Sequence, residues 1–172
     1  MESLGRFMTL AAWALALALL TWLFAGLLED RADPNRNAQG QRGDGGAWEL
    51  VLRRNSAGHY LARGRINDQP VTFLVDTGAT EVGIPEALAR RLGLAFGRAG
   101  VSRTAGGDVR TWSTRLRSLE VGGIQRRDLR AIILPELGGE EILLGMNFLR
   151  GLEMTQKGDT LTLRLPNPSA PP

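Results

Sequence analysis

The sequence predicts an all-β domain with one or two short helices, carried behind a single N-terminal helix of membrane-crossing length. Three observations lead there. Residues 7–28 are apolar, with polar interruptions only at Thr9 and Thr21. From Trp48 to Leu165 the chain divides into short runs rich in Val, Ile, Leu and Thr, separated by Gly, Asn, Asp and Pro clusters. That is the pattern of strands and their turns. Within this region the clearest helix-terminus signals fall on residues 85–93, with Pro85 at the start, Glu86 in the first turn, Arg90 and Arg91 in the last, and Gly93 just beyond.

Composition removes several classes of function. The chain has no cysteine, so disulfides and thiolate chemistry are excluded. Its one histidine, His59, falls beside a turn and is assigned no role. A Ser-His-Asp triad or a multi-histidine zinc site would rest on that residue alone. No Walker-type phosphate loop occurs, and no strand is followed by Gly-x-Gly-x-x-Gly. Neither a metal nor a cofactor is expected. The net charge is +3, and Lys157 is the only lysine. The arginines are scattered in short pairs such as Arg53-Arg54, Arg90-Arg91 and Arg126-Arg127. Without a clustered patch and interleaved aromatics, no nucleic-acid partner is expected.

As a helix, residues 7–28 reach about 33 Å, against a hydrocarbon core of about 30 Å. A cleavable signal peptide has a shorter apolar core followed by a small-x-small site. Here the run is longer and ends in Leu27-Leu28-Glu29-Asp30, which predicts an uncleaved single-pass anchor. Arg6 precedes the span, while Arg31, Arg36 and Arg42 follow it among Glu29, Asp30 and Asp33. Counted literally, these arginines hold the C-terminal part in the cytoplasm. Residues 29–47 are polar and Gly-rich with no apolar periodicity, and predict a flexible tether.

The domain is then expected over residues 48–165. Strands are predicted at 48–53 and 59–66 around an Asn55-Ser56-Ala57-Gly58 turn, and at 71–75 after an Asn67-Asp68-Gln69-Pro70 turn. After the 85–93 helix, residues 101–104 and 109–114 form a hairpin tipped by Ala105-Gly106-Gly107-Asp108. This is either an ordinary surface hairpin or a mobile flap, since tandem glycines let a tip flex over a ligand. Further strands are expected at 116–121 and 129–134 on either side of a Gly122-Gly123 turn, then a loop over 135–141. Ile142-Leu143-Leu144-Gly145 reads as a core strand entering a short helical turn. Residues 152–154 and 160–165 close the sheet, and 166–172 form a Pro-rich tail.

One stretch carries chemistry. Phe73-Leu74-Val75 runs directly into Asp76-Thr77-Gly78-Ala79-Thr80. A buried strand thus delivers a carboxylate to its end. Thr77 supplies a hydroxyl, Gly78 permits backbone angles closed to other residues, and Ala79 leaves room beside the carboxylate. A carboxylate held this way can be aimed at a water molecule. Asp108, Asp128 and Asp159 lack both the apolar lead-in and the Thr-Gly that follows.

The Asp76-Thr77-Gly78-Ala79 motif, followed by a Gly-tipped hairpin and by Leu143-Leu144-Gly145-Met146-Asn147-Phe148-Leu149, resembles a bacterial family of membrane-anchored, retropepsin-like aspartic proteases. The resemblance covers about residues 48–165. It implies a closed β-barrel, the acid-protease lobe. It also implies Asp76 as the catalytic residue, Thr77, Gly78 and Ala79 as the active-site loop, and Ala105, Gly106 and Gly107 as the flap. Leu143, Leu144 and Gly145 would form the cradle beneath the loop. Relatives often carry Asn before the flap-tip glycine, where this chain has Ala105. The mechanism of the resembled family needs two carboxylates sharing a proton. One motif in a domain of about 120 residues, too small for two lobes, points to a symmetric homodimer. A peptide or protein substrate, a bacterial inner-membrane location through residues 7–28, and a periplasmic catalytic domain are implied as well, the last against the arginine count. The alternative is a non-catalytic dimeric module of the same fold that holds an extended peptide by strand addition.

Overall fold

The computed structural model describes residues 2–43, 46–104 and 107–167. Helix α1 (Glu2–Ala32) leads the chain. Its 20-residue segment Gly5–Phe24 is apolar and long enough to cross a membrane, a property shared by anchors and signal sequences, and no part of it is buried in the fold. Phe7, Leu10, Trp13 and Trp22 are all exposed.

The residues after α1 are docked rather than loose. Asn35 is 2% exposed. Its amide donates to the Arg53 carbonyl and accepts from the Arg53 N–H, both at 2.7 Å, in the manner of a neighbouring strand. Asp33 pairs with Arg63 at 2.6 Å, and β1 (Gln41–Arg42) pairs with β2 (Trp48–Arg53). The expected free tether is therefore partly part of the domain. Part of its polarity serves hydrogen bonding to a sheet edge, while Arg36, Asn37 and Gln39 face solvent.

The remaining strands are β3 (Leu61–Ile66), β4 (Gln69–Val75), β5 (Val82–Pro85), β6 (Ala99–Thr104), β7 (Gly107–Val121), β8 (Ile124–Leu134), β9 (Glu141–Leu144), β10 (Glu153–Lys157) and β11 (Thr160–Leu165). Two short helices interrupt them, α2 (Glu86–Arg91) and α3 (Met146–Leu149). The architecture is mostly β, as the sequence predicts. The turns are legible in backbone angles. Asn67 and Asp68 both take positive φ, as do Gly122 and Gly123, and such pairs make the two-residue hairpin turns whose twist matches that of strands.

Strands pair in the order β3-β4-β9-β5-β8-β7-β6, and β3 also pairs with β7. The first six thus close on themselves, while β6 projects beyond β7. Closure needs a glycine at the seam. Gly64 lies opposite Val121, and a Cβ there would sit 2.1 Å from the Glu120 carbonyl oxygen. A second sheet, β1-β2-β11-β10, packs its inner residues Leu50, Leu52, Leu161 and Leu163 into the same core. Phe73 and Phe148 are the largest fully buried side chains. Truncating either to Ala costs about 3–5 kcal/mol by the usual behaviour of buried aromatics.

The strand β5 has no counterpart among the sequence-based expectations. Val82, Gly83, Ile84 and Pro85 are all buried, and a central strand covered on both faces shows no alternation to read. Pro85 ends this strand and caps α2 rather than opening the helix itself. The two strands expected over 109–121 are one continuous strand, β7, of 15 residues.

Candidate active site

Asp76 follows directly on β4. The period of two along a strand turns Val71 and Phe73 into the core and leaves Thr72, Leu74 and Asp76 on the other face. Asp76 is half-buried there. Its N–H donates to the Leu144 carbonyl at 3.2 Å, and its own carbonyl accepts from Ala79 N–H at 3.3 Å. The carboxylate Oδ1 accepts the Gly78 N–H at 2.9 Å. Such a local turn, in which an Asp side chain bonds backbone two residues on, holds the carboxylate without any other side chain.

Gly78 is favoured by space rather than by backbone angle. Its φ lies outside the left-handed region, contrary to expectation, but a Cβ would stand 3.2 Å from Asp76 Oδ1. Thr77 is exposed, and its hydroxyl makes no hydrogen bond among the described residues.

The parallel pairing of β4 with β9 sets Leu74 beside Leu143 and Val75 beside Leu144. Register therefore separates the three residues expected to act together as a cradle. Leu143 faces the cleft beside Asp76. Leu144 is fully buried and contributes its carbonyl to Asp76. Gly145 lies behind the loop. Its φ of −78° and ψ of 174° suit any residue, yet a Cβ would come 2.4 Å from the Glu81 carbonyl oxygen and 2.9 Å from that of Ala79.

The first N–H groups of α3 have no partner inside the helix. Met146 N–H donates to the Ala79 carbonyl at 2.8 Å and Asn147 N–H to the Thr80 carbonyl at 3.0 Å. The helix start and the loop after Asp76 thus satisfy each other. The Asn147 side chain completes the join, accepting from Val82 N–H at 3.2 Å and donating to the Arg130 carbonyl at 2.8 Å. Asn147 joins β5 and β8 at the start of α3, a role that sequence reasoning passed over. Its signal was there, a polar residue inside an otherwise apolar Leu-Leu-Gly-Met-Asn-Phe-Leu run.

Above the carboxylate lies a cleft of about 610 Å³. Ile132, Leu134 and Leu143 form an apolar wall, and Ser102 and Arg103 of β6 stand across it. The strands β6 and β7 make a hairpin whose last pair is Thr104 with Gly107. Gly107 has a φ of +116°. Ala105 and Gly106, the rest of the expected flap tip, lie outside the described residues, as does most of the Pro-rich tail. At its base the hairpin is held by edge-on contact of Phe96 with Trp112, with the Arg90 guanidinium 4.7 Å above the Phe96 ring.

A carboxylate at a strand end, a backbone-held loop, an apolar cleft and a projecting hairpin form a familiar arrangement. The family model for "gag-polyprotein putative aspartyl protease" matches residues 62–151. The chain belongs to this aspartyl protease family. The crystal structure of a retropepsin-like aspartic protease from Rickettsia conorii superposes with a TM-score of 0.57 and 25% identity, covering 69% of this chain and 91% of that one. An uncharacterized protein of the cobV 5′ region in Sinorhizobium sp is 31% identical over 146 residues, which is 83% of this chain and 60% of that protein. An uncharacterized protein of Rickettsia prowazekii (strain Madrid E) is 28% identical over 105 residues, 59% of this chain and 44% of that protein. The chain spans about half the length of these curated relatives. The aspartyl protease family match runs from β3 to the end of α3, so it contains Asp76, the hairpin and Gly145, but neither α1 nor the second sheet.

Proposed function

We propose that this chain is an aspartic endopeptidase that acts as a homodimer, with Asp76 of each copy meeting across a two-fold axis. The observation that carries the reading is the hold on Asp76. Its carboxylate is fixed by the Gly78 N–H and opens onto a cleft with an apolar wall. One such aspartate per chain is half of what the chemistry needs. One carboxylate takes a proton from water while the other donates to the peptide carbonyl oxygen. At about 3 Å two carboxylates cannot both be ionised, so the pair keeps one proton between them. The exposed Thr77 would lock the two loops, and Gly106 and Gly107 of each copy would cover the substrate.

The helix α1 serves in this reading as a single-pass anchor in the bacterial inner membrane, with the domain of residues 48–165 on the periplasmic side. Two anchored copies share one membrane plane, which raises their effective concentration and favours pairing.

The test is cleavage of a mixed peptide pool by the full chain in detergent micelles, followed by mass spectrometry from about pH 4 to pH 7, where a shared-proton pair changes state. Acid-favoured cleavage is expected, and Asp76→Asn is expected to abolish it with the fold unchanged. Cleavage that survives Asp76→Asn would remove the aspartic mechanism. A folded dimer that binds peptides and cuts none would leave the same barrel as a peptide-holding module.

A further inference from the structure

A second cavity, of about 920 Å³, adjoins the Asp76 cleft and shares Glu81, Ser102 and Ile132 with it. Its walls have a different chemistry. Leu134, Ile132 and Arg130 alternate along β8 and so share one face of the sheet. Leu134 and Ile132 line the Asp76 cleft, and Arg130 lines the second cavity. Arg115 of β7 lies directly opposite Arg130 in the ladder. Two like charges in facing positions, with Cβ atoms about 5 Å apart, work against the sheet.

Arg98 enters from the third side. Its carbonyl accepts the Ser113 N–H at 2.9 Å, which pins it beside β7 two residues from Arg115. Of the three guanidinium groups, Arg115 is partly neutralised by Asp128, at 2.5 Å. Among the described residues neither Arg98 nor Arg130 is paired with a carboxylate. Glu81, at the junction of the two cavities, is the acidic residue of the lining. The cavity thus has an excess of positive charge at one end of a cleft that is apolar beside Asp76.

We propose that this cavity is a distal subsite for an acidic side chain of the bound peptide, with Arg98 and Arg130 determining the preference. The proposal rests on the peptidase reading for the location of the scissile bond. An extended peptide advances about 3.3 Å per residue, and Leu134 and Arg130 are about 13 Å apart along β8. The acidic residue therefore falls about three to five residues from the bond that is cut. Glu81 near the junction disfavours acid closer in.

The test uses the full chain carrying Asp76→Asn, in zwitterionic detergent, and a set of fluorescent peptides in which one Glu is walked outward through a neutral sequence. Fluorescence anisotropy is expected to show binding about 1.5- to fivefold tighter when Glu stands at one distal position than when Gln stands there, the range of exposed charge pairs. The preference is expected to shrink in 1 M salt, where screening acts within about 3 Å. It is expected to vanish in Arg98→Gln with Arg130→Gln, and Arg130→Glu is expected to favour a Lys peptide instead. Both arginines are exposed, so far-UV circular dichroism should be unchanged by these substitutions. Equal affinity for the Glu and Gln peptides at every position would overturn the proposal. Selective binding by a wild-type chain that hydrolyses nothing would keep the subsite and remove the peptidase reading.

Discussion

Replacing Gly145 by Ala tests the claim that the loop bearing Asp76 is held by close backbone contact. The added methyl carbon would lie 2.4 Å from the Glu81 carbonyl oxygen, 2.5 Å from its carbonyl carbon and 2.9 Å from the Ala79 carbonyl oxygen. Non-bonded heavy atoms settle at about 3.5–4.0 Å, so the loop must retreat by about 1 Å. The bonds from Met146 N–H to Ala79 and from Asn147 N–H to Thr80, now 2.8 and 3.0 Å, would then exceed hydrogen-bonding range. Each such bond contributes about 1 kcal/mol, and overpacking adds about 1–3 kcal/mol. The expected loss is about 3–5 kcal/mol, a large part of an ordinary domain's total stability. Denaturant unfolding of the full chain in micelles, followed by the β-sheet circular dichroism signal, measures it. Gly138→Ala is the control, because a Cβ there meets nothing within 4 Å. If Gly145→Ala falls within about 0.5 kcal/mol of that control, the range of ordinary surface substitutions, the close-contact reasoning is refuted.

Other outcomes follow from the same contacts. Asn147→Ala strips partners from the buried Val82 N–H and from the Arg130 carbonyl. A loss of about 2–4 kcal/mol is expected by denaturation, with Asn147→Asp, which keeps only the acceptor, in between. Asn35→Ala removes both bonds to Arg53 and is expected to cost about 2 kcal/mol. A fragment beginning at Trp48 should accordingly unfold at lower denaturant than one beginning at Asp33. Gly78→Ala places a methyl 3.2 Å from Asp76 Oδ1. It should leave the denaturation midpoint nearly unchanged while lowering peptide cleavage at least tenfold, since about 1.4 kcal/mol of misplacement at the carboxylate is a factor of ten in rate.

Much of this molecule was legible in its sequence. The β2 strand falls on residues 48–53 as expected from a strand-forming run before a turn, and its inner residues Leu50 and Leu52 meet the core while Val51 and Arg53 do not. The Gly122-Gly123 turn and the strand leading to Asp76 were equally plain, since turn chemistry and apolar lead-ins are local properties. The docking of Asn35 was not legible. A polar segment that hydrogen-bonds a sheet edge has the same composition as one that hydrogen-bonds water.

What the sequence determined by itself was the set of motifs: one Asp-Thr-Gly-Ala at the end of an apolar strand, one apolar helix, and one Leu-Leu-Gly-Met-Asn-Phe-Leu run. What tertiary structure alone decided was the division of labour within those motifs. The parallel register of β4 and β9 sent Leu143 to the cleft and Leu144 to the core. The approach of the 79–81 loop to Gly145 turned a conformationally ordinary position into one that admits only glycine. Pairing of β7 with β8 brought Arg115 against Arg130. These are contacts between residues far apart in the chain, and neither the period of a strand nor the composition of a turn records which distant neighbour it will meet.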